Sequence, residues 1–513
     1  MQLELTSGPR SSAFAAHGFK RTIGALLEEV VELYRADTIP WVVGYGGGKD
    51  STATLQLIWL ALARLRPSER HKQVYVISTD TLVENPIVAA WVARSLDHMA
   101  GRAREEGLPI TTHRLTPDPT DTFWVNLIGR GYPAPRPRFR WCTERLKINP
   151  SNRFIADVVK RSGEAIVVLG MRKAESQARA KVMDRLEGQR VREKLSPNAS
   201  LQNSYVYTPI ESWTNDDVWL FLMQVRNTWG FDNKDLLTMY QGASADGECP
   251  LVIDSTTPSC GDSRFGCWVC TLVEKDKSMQ AMIRNDHEKE WMYPLLELRN
   301  ELDEDDRDLR DFRRMNGSVQ LFKDRVIPGP YTQQARERWL RKVLQAQRHI
   351  QTHGPEIVRE LELISTPELA EIRRLWVLDK HELEDNLPAI YQEVLDRPYP
   401  GGRIDDNLVL GAEEMHILRD LCGEDELHFQ LTRELLDVER RHRSMSRRAG
   451  LFKALEQALR RGFYESAEDA EQRALERQGV LESARARATE AELPLVQPVE
   501  APRMDLLSGV SQP

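Results

Sequence analysis

The chain has 513 residues, 41% of them hydrophobic and 29% charged, and a net charge of −8. That length predicts about three domains, each with enough core to fold, and the balance is that of a soluble globular protein. The acidic charge excludes non-specific coating of nucleic acid, so any DNA or RNA contact needs a local basic patch. No apolar run approaches the roughly eighteen residues of a membrane span, and no apolar stretch follows a basic start, so the expected place is the cytoplasm, with no membrane partner. Six cysteines, five of them between 142 and 270, suggest a metal or redox site rather than a disulfide framework.

Within residues 1–36, apolar side chains from Phe14 and Phe19 through Ile23, Leu27, Val30 and Tyr34 recur at a helical period, which predicts a helix packed on the core. A strand follows near 40–44, then a helix from Ser51 to about Leu65, a strand Gln73–Ser78, and a helix over about Pro86–Glu106. Next come a short strand near Ile110–Leu115, a helix near Ser151–Arg161, and the apolar run Ala165–Leu169. This alternation predicts an α/β domain over 37–228, with a parallel sheet, helices on both faces, and ligands at the carboxyl ends of the strands.

Between Met171 and about Asn203, Arg172, Lys173, Arg179, Lys181, Arg185 and Arg190 stand among few large apolar groups, and a mobile basic loop or lid is expected. Tyr205–Ile210 reads as a short strand, and Thr214-Asn215-Asp216-Asp217 as the cap of a helix reaching about Val225. A cysteine-rich metal segment is expected over 229–290 and an all-α domain over 291–488, with helices near 333–351, 355–363, 367–378, 411–421, 424–448 and 450–461. Residues 489–513, with four prolines and no periodicity, are expected to be a disordered tail.

Trp41-Val42-Val43-Gly44-Tyr45-Gly46-Gly47-Gly48-Lys49-Asp50-Ser51-Thr52 runs an apolar strand through three glycines into a helix. Glycines let backbone N–H groups approach an anion, the helix presents its positive end, and Lys49 adds a charge, so the expected ligand is a nucleotide phosphate. A Walker loop needs Ser or Thr directly after Lys, and a dinucleotide fingerprint needs glycine where Lys49 stands; neither motif is present. The segment resembles the PP-loop, Ser-Gly-Gly-Lys-Asp-Ser, of ATP pyrophosphatases, with Gly46 in place of the first serine. A glycine-rich turn without a ligand is the plain alternative.

Three more segments, Arg140–Lys147, Gly170–Ser176 with Arg179, and Thr208–Thr214 with Val218-Trp219, resemble the phosphoadenylylsulfate reductase family over about residues 38–225. Cys142 and Lys147 bring a thiol and a cation near the nucleotide, and Arg172, Lys173 and Arg179 offer forks and charges for phosphate or sulfate oxygens. Farther on, Cys260, Cys267 and Cys270 lie seven and three residues apart, behind Cys249. Spacing leaves zinc and iron–sulfur both open. A [4Fe–4S] cluster on Cys142, Cys260, Cys267 and Cys270 would tie this segment to the nucleotide site. Cys249 would then be a persulfide carrier or an alternative ligand, and Cys422 a buried core residue.

The cysteine segment, the strand before the loop and the helical extension together are similar to the DndC family of DNA phosphorothioation sulfurtransferases, to about residue 480. The resemblance implies ATP-consuming replacement of a non-bridging DNA phosphate oxygen by sulfur, with an iron–sulfur cluster. It implies as partners DNA, a cysteine desulfurase, a DndD-like ATPase and a DndE-like DNA-binding protein.

On the expected mechanism, Gly46, Gly47, Gly48, Lys49, Asp50 and Ser51 hold the departing pyrophosphate of ATP, with Asp50 acting through Mg²⁺. Ser78 and Asp80, with Glu84, face the adenosine half, and Arg172 and Arg179 close over the activated phosphate. Lys49, Asp50, Arg172 and Cys249 are the expected catalytic residues. Competing readings are a reductase releasing sulfite, a tRNA thiolase, and an inactive cluster-bearing scaffold. Arg440, Arg441, Arg443, Arg447 and Arg448 form a candidate DNA patch, against which stands a salt-bridged face formed with Glu434, Asp437 and Glu439.

Overall fold

The computed structural model describes residues 12–243, 265–323, 325–402, 404, 412–443, 445 and 447–491. Six strands, β1 (Trp41–Gly44), β2 (Val74–Thr79), β3 (Ile110–Leu115), β4 (Ala165–Val168), β5 (Ser196–Pro197) and β6 (Ser204–Tyr207), form one sheet in the order β3-β2-β1-β4-β6-β5. All neighbours run parallel except the two-residue edge strand β5.

Trp41, Val42 and Val43 are fully buried, as a central parallel strand covered on both faces requires. Side-chain alternation sends Trp41 and Val43 toward α1 (Phe19–Arg35), α2 (Lys49–Ala63) and α3 (Pro86–Glu105). Val42 points the other way, with Ile77 and Val167, against Ile155 and Val158 of α4 (Asn149–Ser162). Crossing faces between β3 and β4 makes the gap between β1 and β4 the topological switch point, where a crevice opens at the carboxyl ends of the strands.

The expected basic lid at Met171–Asn203 is instead built structure: α5 (Gln177–Glu187), then β5. Acids within the segment and far from it in sequence answer its cations. Lys173 pairs with Asp184 at 2.9 Å and Glu187 at 2.5 Å, Arg192 with Asp37 at 3.3 Å, and Lys194 with Glu29 at 3.0 Å.

The helices α6 (Asn215–Gln224), α7 (Asn233–Gly242), α8 (Lys277–Asn285), α9 (Tyr293–Asp303), α10 (Gln333–His353), α11 (Thr366–Arg374) and α12 (Leu387–Leu395) follow. No helix spans 355–363; a single 3₁₀ turn, Glu356–Val358, stands there. The reason is that the Leu363 and Ile364 N–H groups donate to buried Gln347 Oε1, at 2.8 and 3.3 Å, rather than to a preceding turn.

The chain divides into two compact units, residues 1–310 with 330–415, and 311–329 with 416–513. These divisions differ from the expected ones near 228 and 290. In the first unit Trp124, Trp141, Trp268, Trp291, Trp339 and Trp376 share one core. Trp124 Nε1 donates to Leu363 O at 2.7 Å and Trp376 Nε1 to Ile128 O at 2.9 Å, so the later helices close over the segment around residue 125.

The second unit holds a short hairpin, β7 (Leu321–Phe322) with β8 (Arg325–Val326), and the helices α14 (Glu426–Arg443), α15 (Leu451–Gly462) and α16 (Ala467–Ala491); α13 (Ala412–Cys422) spans the division. Arg440 and Arg441 both pair with the buried Asp437, and Arg443 with Glu439 at 3.5 Å. Much of the candidate DNA patch is therefore a salt-bridged face. Cys422 is only partly buried, not a core residue. The expected tail lies outside the described residues from 492 onward. Among the described residues no helix is long and apolar enough to cross a membrane.

At the start of α6, Thr214 Oγ1 accepts from Asp217 N at 3.1 Å while Thr214 N donates back to the Asp217 carboxylate at 2.8 Å. The same carboxylate accepts from Ser12 Oγ and from Ala13 N at 3.0 Å, tying the first described residues to this cap. Burial would raise the Asp217 pKa, but these donors outweigh it and hold it below the ordinary carboxylate value. A depressed pKa means stability present above the unfolded value of about 4 and lost as pH falls through the folded one. Asp217→Ala should lower the urea unfolding free energy by about 2–3 kcal/mol at pH 7, and the difference from wild type should shrink toward pH 3.

Candidate nucleotide and thiol site

The loop after β1 turns into α2 under tight steric control. Gly47 has φ +72°, and a Cβ there would lie 2.4 Å from Val92 Cγ2 of α3, so only glycine fits. Gly48 is the extended N-cap of α2. Ser51 Oγ donates to Gly48 O at 3.0 Å and accepts from Gly46 N at 3.2 Å, stitching the loop across its mouth. Gly46, where the motif has serine, would meet nothing within 4 Å if it carried a Cβ. The substitution therefore removes a hydroxyl without reshaping the loop.

The exit of β4 crosses directly over the start of α2. A Cβ on Gly170 would lie 2.7 Å from Asp50 O and 2.9 Å from Thr54 Oγ1. This close passage carries Arg172, 4% exposed, to Asp50: Nε donates to Oδ1 at 2.6 Å, and Nη1 to Trp213 O at 3.3 Å. Lys49 Nζ lies 3.4 Å from the other Asp50 oxygen. Arg172 is thus placed to position Asp50, whose two carboxylate oxygens face Arg172 and Lys49. Arg179 pairs with Glu175 one helical turn back and is not brought to the loop's ion pair.

A cleft of about 560 Å³ opens beside the loop at the ends of β1, β2 and β4. Its walls are apolar, from Ile77, Val88, Val92, Ile155, Leu169 and Phe265, and its polar edge includes Ser78, Asp80, Glu84 and Asn152. Apolar walls with a few convergent polar groups suit a nucleoside. Ser78 and Asp80 thus line the cleft as expected. Arg114, which sequence reasoning missed, anchors Asp80 through a 3.0 Å Nε bond; its signal was the β2–β3 register, which sets Arg114 opposite Ser78.

At the far side the cleft meets thiols. The backbone around Val83–Asn85 is stitched to 266–268: Trp268 N donates to Val83 O at 2.9 Å and Asn85 N to Gly266 O at 3.3 Å. Cys267 Sγ consequently lies 3.2 Å from Thr81 Oγ1 and 3.7 Å from Glu84 Oε1. Lys147 Nζ is 3.5 Å from the same Glu84 oxygen. Burial foremost, then Glu84, push the Cys267 thiol up to about 12, with Lys147 opposing. The Lys147 ammonium is in turn held above its ordinary value, first by Cys267 and then by Glu84. Cys142, just before a π-helical turn (Thr143–Ile148) that carries Lys147, is raised by burial, with Cys270 adding.

Cys142, Cys267 and Cys270 are free thiols, and Cys270 adds to the upward shift of both Cys142 and Cys267. Among the described residues no three Cys, His, Asp or Glu converge as ligands of one metal ion. Cys249 and Cys260 lie outside the described residues, so neither the persulfide assignment nor the fourth cluster ligand is placed.

Residues 40–228 match the family profile described as phosphoadenosine phosphosulfate reductase domain, and this stretch is a phosphoadenosine phosphosulfate reductase-like PP-loop domain. An uncharacterized protein of Methanocaldococcus jannaschii is 24% identical over 252 residues, covering 49% of this chain; the chain spans only 40% of that relative's length. Phosphoadenylyl-sulfate reductase from Candida auris, a phosphate complex, superposes with TM-score 0.25 at 15% identity, over 40% of this chain and 86% of its own. The U34-tRNA thiolase NcsA of Methanococcus maripaludis, with its [4Fe–4S] cluster, gives TM-score 0.25 at 15% identity, over 56% of this chain and 81% of its own.

The glycines give a contrasting pair of expectations. Gly47→Ala combines a positive φ with a methyl overlap and should destabilise by at least about 2 kcal/mol. Gly46→Ala should stay within about 0.5 kcal/mol of wild type. Urea unfolding midpoints of the two variants check both.

Proposed function

We propose that the protein is an ATP-dependent sulfurtransferase that sulfurates the DNA backbone, replacing a non-bridging phosphate oxygen with sulfur. The observation that carries this reading is Glu84, whose carboxylate lines the nucleotide cleft and at the same time contacts Cys267 and Lys147. A nucleotide site and a thiol site that share a wall suit an enzyme that activates an oxygen with ATP and then delivers sulfur. The choice of DNA as acceptor rests on the sequence resemblance to the DndC family.

In this reading the non-bridging phosphate oxygen attacks the α-phosphorus of ATP and pyrophosphate leaves. Lys49 and the N–H groups at the start of α2 stabilise the charge that builds on that leaving group. Arg172 keeps the Asp50 carboxylate and, through it, the Lys49 ammonium in place. Attack of sulfur on the adenylated phosphorus then expels AMP. A persulfide on Cys249 would leave a P–S–S link, which a second thiol cleaves, giving the phosphorothioate and a disulfide. Cys142, Cys267 and Cys270, with Cys260, would hold a [4Fe–4S] cluster in which each iron carries a cysteine thiolate, so that the persulfide on Cys249 would be the sulfur that is delivered. A cysteine desulfurase would supply the sulfur, with a DndD-like ATPase and a DndE-like DNA-binding protein as further partners.

The match of residues 40–228 supports a second reading, reduction of phosphoadenylylsulfate with release of sulfite. Anaerobically purified protein given ATP, DNA, the partner proteins, a desulfurase and labelled cysteine should place label in DNA and release AMP and pyrophosphate. Lys49→Ala should slow pyrophosphate release by roughly a hundredfold or more. Label only in tRNA, sulfite as product, or undiminished pyrophosphate release by Lys49→Ala would each refute the main reading.

A further inference from the structure

The loop motif lacks one hydroxyl at Gly46, and its other one is turned inward, since Ser51 Oγ donates to Gly48 O. A hydroxyl nevertheless stands beside the cradle, supplied from about 190 residues downstream. Tyr240 of α7 is 7% exposed, and its Oη accepts the Lys49 N–H at 3.3 Å. A Cβ on Gly48 would lie 3.2 Å from the same oxygen, so the phenol lies close over the loop. Lys49 Nζ sits 5.3 Å from the ring centroid. Trp219 and Phe265 meet the ring edge-on, at 5.2 and 4.6 Å, and hold its direction.

The chemistry of that position is specific. Burial first, then the nearby Asp50 carboxylate, keep the phenol protonated, so it is a donor as well as an acceptor at neutral pH. An anion that takes the Lys49 N–H displaces the phenol oxygen as acceptor but remains within reach of its O–H. The contact changes from acceptance of a backbone N–H to a charge-assisted donation, the stronger of the two.

We propose that Tyr240 is a phosphate-binding residue of the loop, donating to the departing pyrophosphate the hydroxyl hydrogen bond that Gly46 does not provide. The inference rests on the reading of residues 46–51 as an ATP-pyrophosphatase loop. Tyr240 lies outside every loop segment of that motif, which is why spacing alone does not point to it.

Inorganic pyrophosphate is titrated calorimetrically into the full-length protein as wild type, Tyr240→Phe, Gly46→Ser and the double variant, with a thermal melt of each. Loss of one hydrogen bond to a charged group predicts that Tyr240→Phe weakens binding roughly ten- to hundredfold, with a melt lowered only as far as loss of the Lys49 N–H acceptor requires. Gly46 has room for a side chain, so Gly46→Ser should restore the double variant to within a few-fold of wild type. Binding by Tyr240→Phe that is unchanged or tighter overturns the inference, and so does a double variant that stays weak, since the loss would then come from packing. Failure of the wild type to bind pyrophosphate overturns the loop reading itself, a result distinguishable from either.

Discussion

The ion pair between Arg172 and Asp50 is the constraint on which the site depends. It joins the exit of β4 to the first turn of α2 across the switch point of the sheet, and the absence of a side chain at Gly170 lets the two backbones come close enough for it. Removing Asp50 would leave the buried Arg172 charge without its carboxylate, at a cost of about 3–5 kcal/mol. Arg172 thereby fixes the carboxylate that in turn holds Lys49.

From this fixed corner the remainder follows in order. The loop glycines leave the N-terminus of α2 open, the cleft extends along the ends of β1 and β2, and the stitching of 83–85 to 266–268 closes its far end with Cys267. Glu84 belongs to both sides of that closure. The cleft and the Cys267 thiol are therefore adjacent because one short stretch of backbone pairs with another.

Much of this was legible in the amino-acid order, for reasons specific to each element. Trp41–Gly44 and Ala165–Val168 are short apolar runs that only a doubly covered strand explains, and Gly46–Ser51 names its own geometry. The charged stretch after Met171 misled because its cations are visible locally while Asp37 and Glu29, which neutralise two of them, lie some 150 residues away. Arg179 and Arg172 looked alike as cations; only the crossing at Gly170 separates a buried positioning group from a helix-surface pair. Arg114 and Tyr240 carry no local signature, since one is placed by strand register and the other by the packing of α7. The breaks expected near 228 and 290 rest on changes in motif and pattern along the chain, whereas the two compact units reflect which segments pack together.

The tryptophan-rich core bears on how such a protein could be assembled or trimmed. Because Trp124 and Trp376 exchange hydrogen bonds with each other's segments, residues 330–395 are not an appendage to a finished catalytic domain. A chain ending after the cysteine segment would expose Trp124, Trp141 and Trp268 to water and behave as an unfinished core, prone to associate through that face. The nucleotide half and the helices that follow it are therefore one unit of folding, and removal of the helices would take away part of the core beneath the thiols.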